Sequence, residues 1–96
     1  MADVKNGAVK IVLGGKERKL KYTLYSLTKL EEKGVKMTDL GKEMTMGQIL
    51  AVIWAGLITF DKKITVEEVG SMIGIEEIPM VTEKLSEAFM GLQGKE

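Results

Sequence analysis

The sequence predicts a mainly helical α+β domain: an N-terminal two-stranded β-hairpin packed on a compact bundle of about four helices. Three observations predict it. Apolar residues alternate with charged ones over residues 9–22 on either side of a Gly-Gly pair, as in a hairpin. Beyond Thr23 the apolar spacing changes to the three and four of amphipathic helices. Finally, Thr45-Met46-Gly47-Gln48 and Thr65-Val66-Glu67-Glu68 both have the form of a capping box, in which a Thr hydroxyl and a Gln or Glu side chain satisfy each other's backbone amides at a helix start.

Residues 1–7 read as a flexible leader. They lack the apolar core of a signal peptide, which places the expected site of action in the cytoplasm. Val9, Ile11 and Leu13 alternate with Lys10 and Val12 as a first strand. Gly14-Gly15 supplies the positive φ of a tight primed turn, and the return strand runs from Arg18 to Thr23 with Leu20 and Tyr22 on one face and Lys19 and Lys21 on the other. An isolated hairpin is marginal in water, so its apolar face must pack on helices.

Thr23 caps a first helix, about 24–33, with Leu24, Leu27 and Leu30 as its stripe and Gly34 just past its end. Val35 to Met44 reads as a loop with a helical turn around Thr38–Lys42. The helix starting at the Thr45 box, about 46–60, is apolar on nearly every side and forms the core. Gly56 within it costs roughly 1 kcal/mol against Ala, which points either to a close crossing by another backbone or to simple tolerance. The Thr65 box opens a helix over about 66–73 carrying Val66, Val69, Met72 and Ile73, stopped by Gly74. Pro79 suits the first turn of the last helix, about 79–91, with Met80, Val81, Leu85, Ala88, Phe89 and Leu92 as its stripe before Gly91 and Gly94 fray it. One globular domain over 8–92 and a frayed tail over 93–96 follow from this reading.

Composition removes several kinds of chemistry. The 96 residues contain no Cys and no His, which excludes disulfides, thiol nucleophiles, the usual zinc sites and histidine acid–base catalysis. Fourteen basic residues balance fourteen acidic ones, so no strongly charged tail is present. The balance is uneven along the chain: residues 1–36 hold nine Lys/Arg and four Asp/Glu, and residues 37–96 hold five and ten. Such a two-ended molecule can self-associate head to tail, or meet partners of either sign at opposite ends. The longest apolar run, Met46 to Phe60, falls short of the about 20 residues a bilayer span needs, so no membrane association is expected.

Candidate chemical motifs are weak. Ser26-Leu27-Thr28-Lys29 sets a hydroxyl and an amine one helical turn apart, as in some acyl-transfer enzymes. Those enzymes need an oxyanion hole and further motifs, so two exposed polar residues on a helix is the preferred reading. Gly14-Gly15-Lys16 lacks phosphate-loop spacing, with Glu17 where a Ser or Thr belongs. The pairs Glu31-Glu32, Glu67-Glu68 and Glu76-Glu77 fit helix ends or solvated faces better than a calcium loop. Lys10, Lys16, Arg18, Lys19 and Lys21 could track a nucleic-acid backbone, but Tyr22 and Tyr25 are the only aromatics nearby. Lysines that protect a strand edge explain the pattern equally well, and nucleic acid is disfavoured as a partner. No catalytic residue, metal or cofactor is assigned. Seven methionines, six of them after residue 36, fit core filling, with Met37, Met44, Met80 and Met90 as candidates to line a groove for a partner helix.

Four segments in a fixed order carry a resemblance: Val9-Lys10-Ile11-Val12-Leu13-Gly14-Gly15-Lys16-Glu17, Leu24-Tyr25-Ser26-Leu27-Thr28-Lys29-Leu30-Glu31-Glu32, Ile53-Trp54-Ala55-Gly56-Leu57 and Ile64-Thr65-Val66-Glu67-Glu68-Val69-Gly70. Over about residues 8–90 the chain resembles the small tail assembly chaperones of long-tailed bacteriophages and prophages. It departs at Thr23, where an Asp cap is usual. The resemblance implies a non-enzymatic protein of the bacterial host cytoplasm that binds the tape-measure protein, keeps it soluble, promotes assembly of the tail-tube protein around it, and is absent from the mature virion. Many such proteins also have a longer, frameshifted form. The alternative is a structural tail or head–tail connector subunit retained in the particle. No binding motif transfers residue by residue, so the partner-binding surface is left open.

Overall fold

The computed structural model describes residues 8–39 and 43–93, with backbone alone for Met37 and for 89–93. The elements are β1 (Val9–Leu13), β2 (Lys16–Leu20), α1 (Leu24–Glu32), a 3-10 turn (Met37–Asp39), α2 (Met46–Leu57), α3 (Val66–Met72), a second 3-10 turn (Ile75–Glu77) and α4 (Ile78–Gln93). A two-stranded antiparallel hairpin followed by four helices is the architecture predicted from the sequence. The predicted leader 1–7, and residues 40–42 and 94–96, lie outside the described residues.

Gly14 and Gly15 take φ of 61° and 75°. Two consecutive positive values define the two-residue primed turn whose twist matches that of the strands. The turn pairs Leu13 with Lys16 and Val9 with Leu20. The return strand therefore begins at Lys16, two residues before the expected Arg18, and it ends at Leu20 instead of Thr23. The early end has a clear cause. The Lys21 N–H leaves β1 and donates to the Gly56 carbonyl of α2 at 3.0 Å, while Thr59 Oγ1 donates to the Lys21 carbonyl at 2.7 Å.

This crossing decides between the two readings of Gly56. A Cβ there would lie 2.8 Å from Cζ and Oη of Tyr22 and 2.9 Å from Leu20 Cδ2. Glycine is required because the hairpin's exit runs directly across the helix. Tyr22 Oη donates to the Val52 carbonyl on the same helix. Burial of the phenol, which favours its neutral form, pushes its pKa well above the usual range.

The three long-range helix starts share one device. Thr23, Thr45 and Thr65 each close a capping box, with Ser26, Gln48 and Glu68 at the third helical position. In α1 this box buries Ser26 beside Leu30, with Leu27 half-buried, and turns Leu24 outwards at 79% exposure. The expected stripe of Leu24, Leu27 and Leu30 is thus shifted by the cap. Ser26, expected on the exposed side, is instead buried and bonded.

α2 lies at the centre, packed by α1, α3 and β2, while α4 packs on β1. It stops three residues earlier than expected, because the amides of Phe60 and Asp61 both turn back to the Leu57 carbonyl. Phe60 is thereby exposed rather than part of the core. α3 ends at Met72, one residue short of the expected Ile73. Val81, Leu85 and Ala88 of α4 are buried as expected. That helix passes through Gly91 to Gln93, so Gln93 is helical rather than part of a frayed tail. A 3-10 turn at Met37–Asp39 overlaps the start of the helical turn expected over 38–42, of which residues 40–42 lie outside the described residues, and a second 3-10 turn at Ile75–Glu77 follows the expected stop at Gly74. The Cα radius of gyration, 12.2 Å, is that of a compact domain of this length, about 12.5 Å. Among the described residues no helix is long and apolar enough to cross a membrane.

Candidate functional site

A helix that is apolar on all sides needs cover on all sides, and α2 is packed chiefly by α1, α3 and β2. Its core-facing residues, Ala51, Val52, Ala55 and Leu57, are buried. Met46, Ile49 and Leu50, with Ile53 at their base, form one wall of an open groove of about 180 Å³. Gly70, Ile73, Ile75 and Ile78 form the other. The first wall spans residues 46–53 of the helix, about 10 Å at 1.5 Å per residue, or two helical turns.

The second wall exists because α3 is short. After seven residues the chain becomes extended at Ile73, with φ −113° and ψ 115°, then enters the 3-10 turn. The Gly74 N–H donates to Glu77 Oε1 at 2.8 Å, which fixes that turn and leaves Ile75 outside at 84% exposure. Met46, on the facing wall, is 61% exposed. Two large apolar residues thus stand in solvent at the edges of an apolar groove, an arrangement that a monomer does not need for its own folding.

The groove's surroundings are acidic. Glu67 lies one turn before Gly70 on α3, and the Glu76 carboxylate folds back over Gly74, between the lining residues Ile73 and Ile75. Among the described residues no Lys or Arg forms an ion pair with Glu67 or Glu76.

The residues singled out from sequence fall elsewhere. Met44 and Met80 pack against the core without lining this groove, and the side chains of Met37 and Met90 lie outside the described residues. The lining is mainly isoleucine, with Met46 the only methionine among the described lining residues. The sequence signal for it was the all-round hydrophobicity of α2, together with Ile75, an isoleucine between a glycine and two glutamates that fits no helical stripe.

Ser26 is engaged with Thr23 through its Oγ, which accepts the Thr23 N–H at 2.6 Å, and Lys29 pairs with Glu32 at 3.7 Å. Hydroxyl and amine are each committed to another partner. Of the glutamate pairs, Glu68 and Glu77 serve as caps and Glu32 pairs with Lys29. No group of three or more carboxylates among the described residues is placed to hold a metal ion.

The basic cluster on the hairpin is divided by its register. Lys10 and Lys19 are cross-strand partners, and Val12 faces Glu17, on the outer face. Arg18 opposes Ile11 on the inner one. Lys10 pairs with Glu17 at 3.7 Å and Arg18 with Asp61 at 3.6 Å. Lys19 Nζ lies 5.9 Å from the Phe60 ring, a neighbour that sequence reading did not bring to the hairpin. Lys29 and Lys62 approach the Tyr25 ring in the same way, at 5.6 and 5.9 Å.

No protein-family model, curated protein or solved structure matches this chain.

Proposed function

We propose that the chain is a non-enzymatic tail assembly chaperone. It binds the tape-measure protein of a long-tailed phage in the host cytoplasm, keeps it soluble, and helps tail-tube protein assemble around it. The open apolar groove between α2, α3 and the start of α4, edged by exposed Met46 and Ile75, carries this reading. A tape-measure protein is long and helical. Unassembled, its amphipathic stretches need an apolar surface, and a groove two turns long takes the i, i+3/i+4, i+7 side chains of one such stretch. The order of the hairpin and helical segments, which resembles that of the phage chaperones, supports the same reading.

Co-expression with the tape-measure protein tests it. The chaperone is expected to raise that protein's soluble yield and to co-purify with it. The double variant Met46→Gln/Ile75→Gln is expected to lose about tenfold in affinity, since it removes the apolar edges of the contact. Its own stability should change by no more than about 0.5 kcal/mol, because both positions are exposed. No gain in solubility and no co-purification would refute the proposal. Mass spectrometry of purified virions tests the remaining clause: stoichiometric presence in the particle would replace the chaperone by a structural tail or connector subunit.

A further inference from the structure

The groove is apolar inside and negatively charged around its second wall. Residues 64–83, which supply α3, the 3-10 turn and the start of α4, contain five Glu and no Lys or Arg. Residues 46–60, which supply α2, contain no charge at all. Two of the five carboxylates have structural duties as caps, Glu68 to the Thr65 amide and Glu77 to the Gly74 amide. Glu83 lies five residues past Ile78 on α4, away from the lining residues, and of the other two, Glu67 and Glu76, neither has such a duty. They are exposed, and among the described residues neither is ion-paired. On the hairpin, Glu17, Asp61 and the Phe60 ring already engage Lys10, Arg18 and Lys19.

We infer that the groove selects its client segment by charge: it takes an amphipathic helix of about two turns whose apolar stripe is flanked by Lys or Arg, and rejects the same stripe flanked by Glu or Asp. This rests on the reading of the groove as a helix-binding site and adds the identity of the helix. Apolar side chains at i, i+3/i+4 and i+7 fill the floor over Ile53. Basic residues on the flank that faces the second wall reach Glu67 on α3 and Glu76 near Ile75. An acidic flank would bring like charges together beside a low-dielectric surface, where repulsion is least screened. The negative rim equally disfavours an anionic membrane surface as occupant, which leaves a protein helix. Rim charges of this kind act mainly on encounter rate and specificity, and they weaken with salt.

The chain's own isoleucines provide the readout. Of its eight, Ile49, Ile53, Ile73, Ile75 and Ile78 line the groove, whereas Ile11, Ile58 and Ile64 do not. Two 15-residue helical peptides with one leucine stripe, flanked by Lys in one and Glu in the other, are titrated into Ile-methyl-labelled protein. The Lys-flanked peptide is expected to shift the five groove methyls, leave Ile11 and Ile64 in place, and bind about tenfold tighter than the Glu-flanked one at 20 mM NaCl. The ratio should fall below about twofold at 0.5 M NaCl, where the Debye length is only about 4–5 Å. Glu67→Lys/Glu76→Lys, which leaves both capping glutamates intact, should reverse the preference. Equal binding of both peptides at the groove methyls, or a preference that survives the charge reversal, overturns the selection by charge and leaves the groove a helix site. Failure of both peptides to shift the groove methyls overturns the helix site as well.

Discussion

At the hairpin end, Val9, Ile11, Leu13 and Leu20 are turned inwards onto the helices, and Lys10, Arg18 and Lys19 are held by Glu17, Asp61 and the Phe60 ring. At the α2–α3 end, Met46 and Ile75 are exposed and Ile49, Leu50 and Ile73 are only partly covered, and Glu67 and Glu76 meet no cation among the described residues. Both ends are built of apolar residues beside charged ones. In the first the chain supplies its own cover and counter-ions, which stabilises the fold. In the second it leaves both unsatisfied, which costs little stability when each group is solvated and prepares the surface for a partner. A net charge of zero therefore describes neither end.

The sharpest way to break this contrast is to strike the joint that makes the hairpin end self-sufficient. Gly56→Val places a branched side chain where even a Cβ would lie 2.8 Å from the Tyr22 ring. The expected loss is about 2–3 kcal/mol of unfolding free energy, the cost of overpacking a site that cannot yield. Gly47→Ala is the matched control on the same helix. A Cβ there meets nothing nearer than Thr45 Oγ1 at 3.9 Å, so the better helix former should stabilise, by up to about 1 kcal/mol. Urea denaturation reads both. A neutral Gly56→Val would mean that the β2–α2 crossing is loose and that the two ends are not built differently.

How far these features could be read from sequence follows the same division. The Gly-Gly turn, the alternation of Val9, Ile11 and Leu13, and the threonine caps depend on neighbours within a few residues, so they were legible. Even there the Thr23 box was seen only as a cap, because Ser at its third position is a rarer partner than Glu or Gln. Long-range bonds were not legible. β2 stops at Leu20 because the Lys21 amide bonds a carbonyl 35 positions further along the chain, at Gly56. Methionine content pointed to Met44 and Met80, yet the groove is lined by isoleucines. Its existence depends on where α3 stops, which is set by the extended backbone at Ile73 and the Glu77 cap rather than by residue type alone.

A smaller effect separates burial from hydrogen bonding at the same joint. Tyr22→Phe removes the bond to the Val52 carbonyl and is expected to cost about 1 kcal/mol at neutral pH. The pH dependence carries more information. The folded-state pKa of the phenol is raised above its usual 10.0, so the unfolded chain ionises first. Its contribution is fully present below about pH 10 and is lost as pH rises, by up to about 1.4 kcal/mol per pH unit. The advantage of the natural protein over Tyr22→Phe should shrink and then reverse in alkali. Parallel stability curves for the two above pH 10 would show that the ring is reached by water, and that the hairpin end is less sealed than its burial implies.

The smallest expected effect concerns the charges that the hairpin keeps for itself. Arg18 and Asp61 stand 3.6 Å apart, with side chains 18% and 48% exposed. Coupling between them, measured by a double-mutant cycle with Arg18→Gln and Asp61→Asn, should be below about 1 kcal/mol, as for partly solvated pairs, and should shrink in 0.5 M salt. The single change at Arg18 should cost more than the coupling. Its stem covers the inner face opposite Ile11 and its Nε donates, at 3.5 Å, to the Leu13 carbonyl, and neither interaction involves Asp61. Asp61→Asn should be nearly neutral in stability, while freeing a guanidinium that is otherwise compensated. If internal pairing masks the positive charge of the hairpin, this variant alone should acquire salt-sensitive binding to a polyglutamate probe. The natural protein should bind that probe no better than Arg18→Gln does. Equal binding by all three would show that lysine density alone sets the character of the hairpin end, and that internal pairing does not distinguish it from the groove.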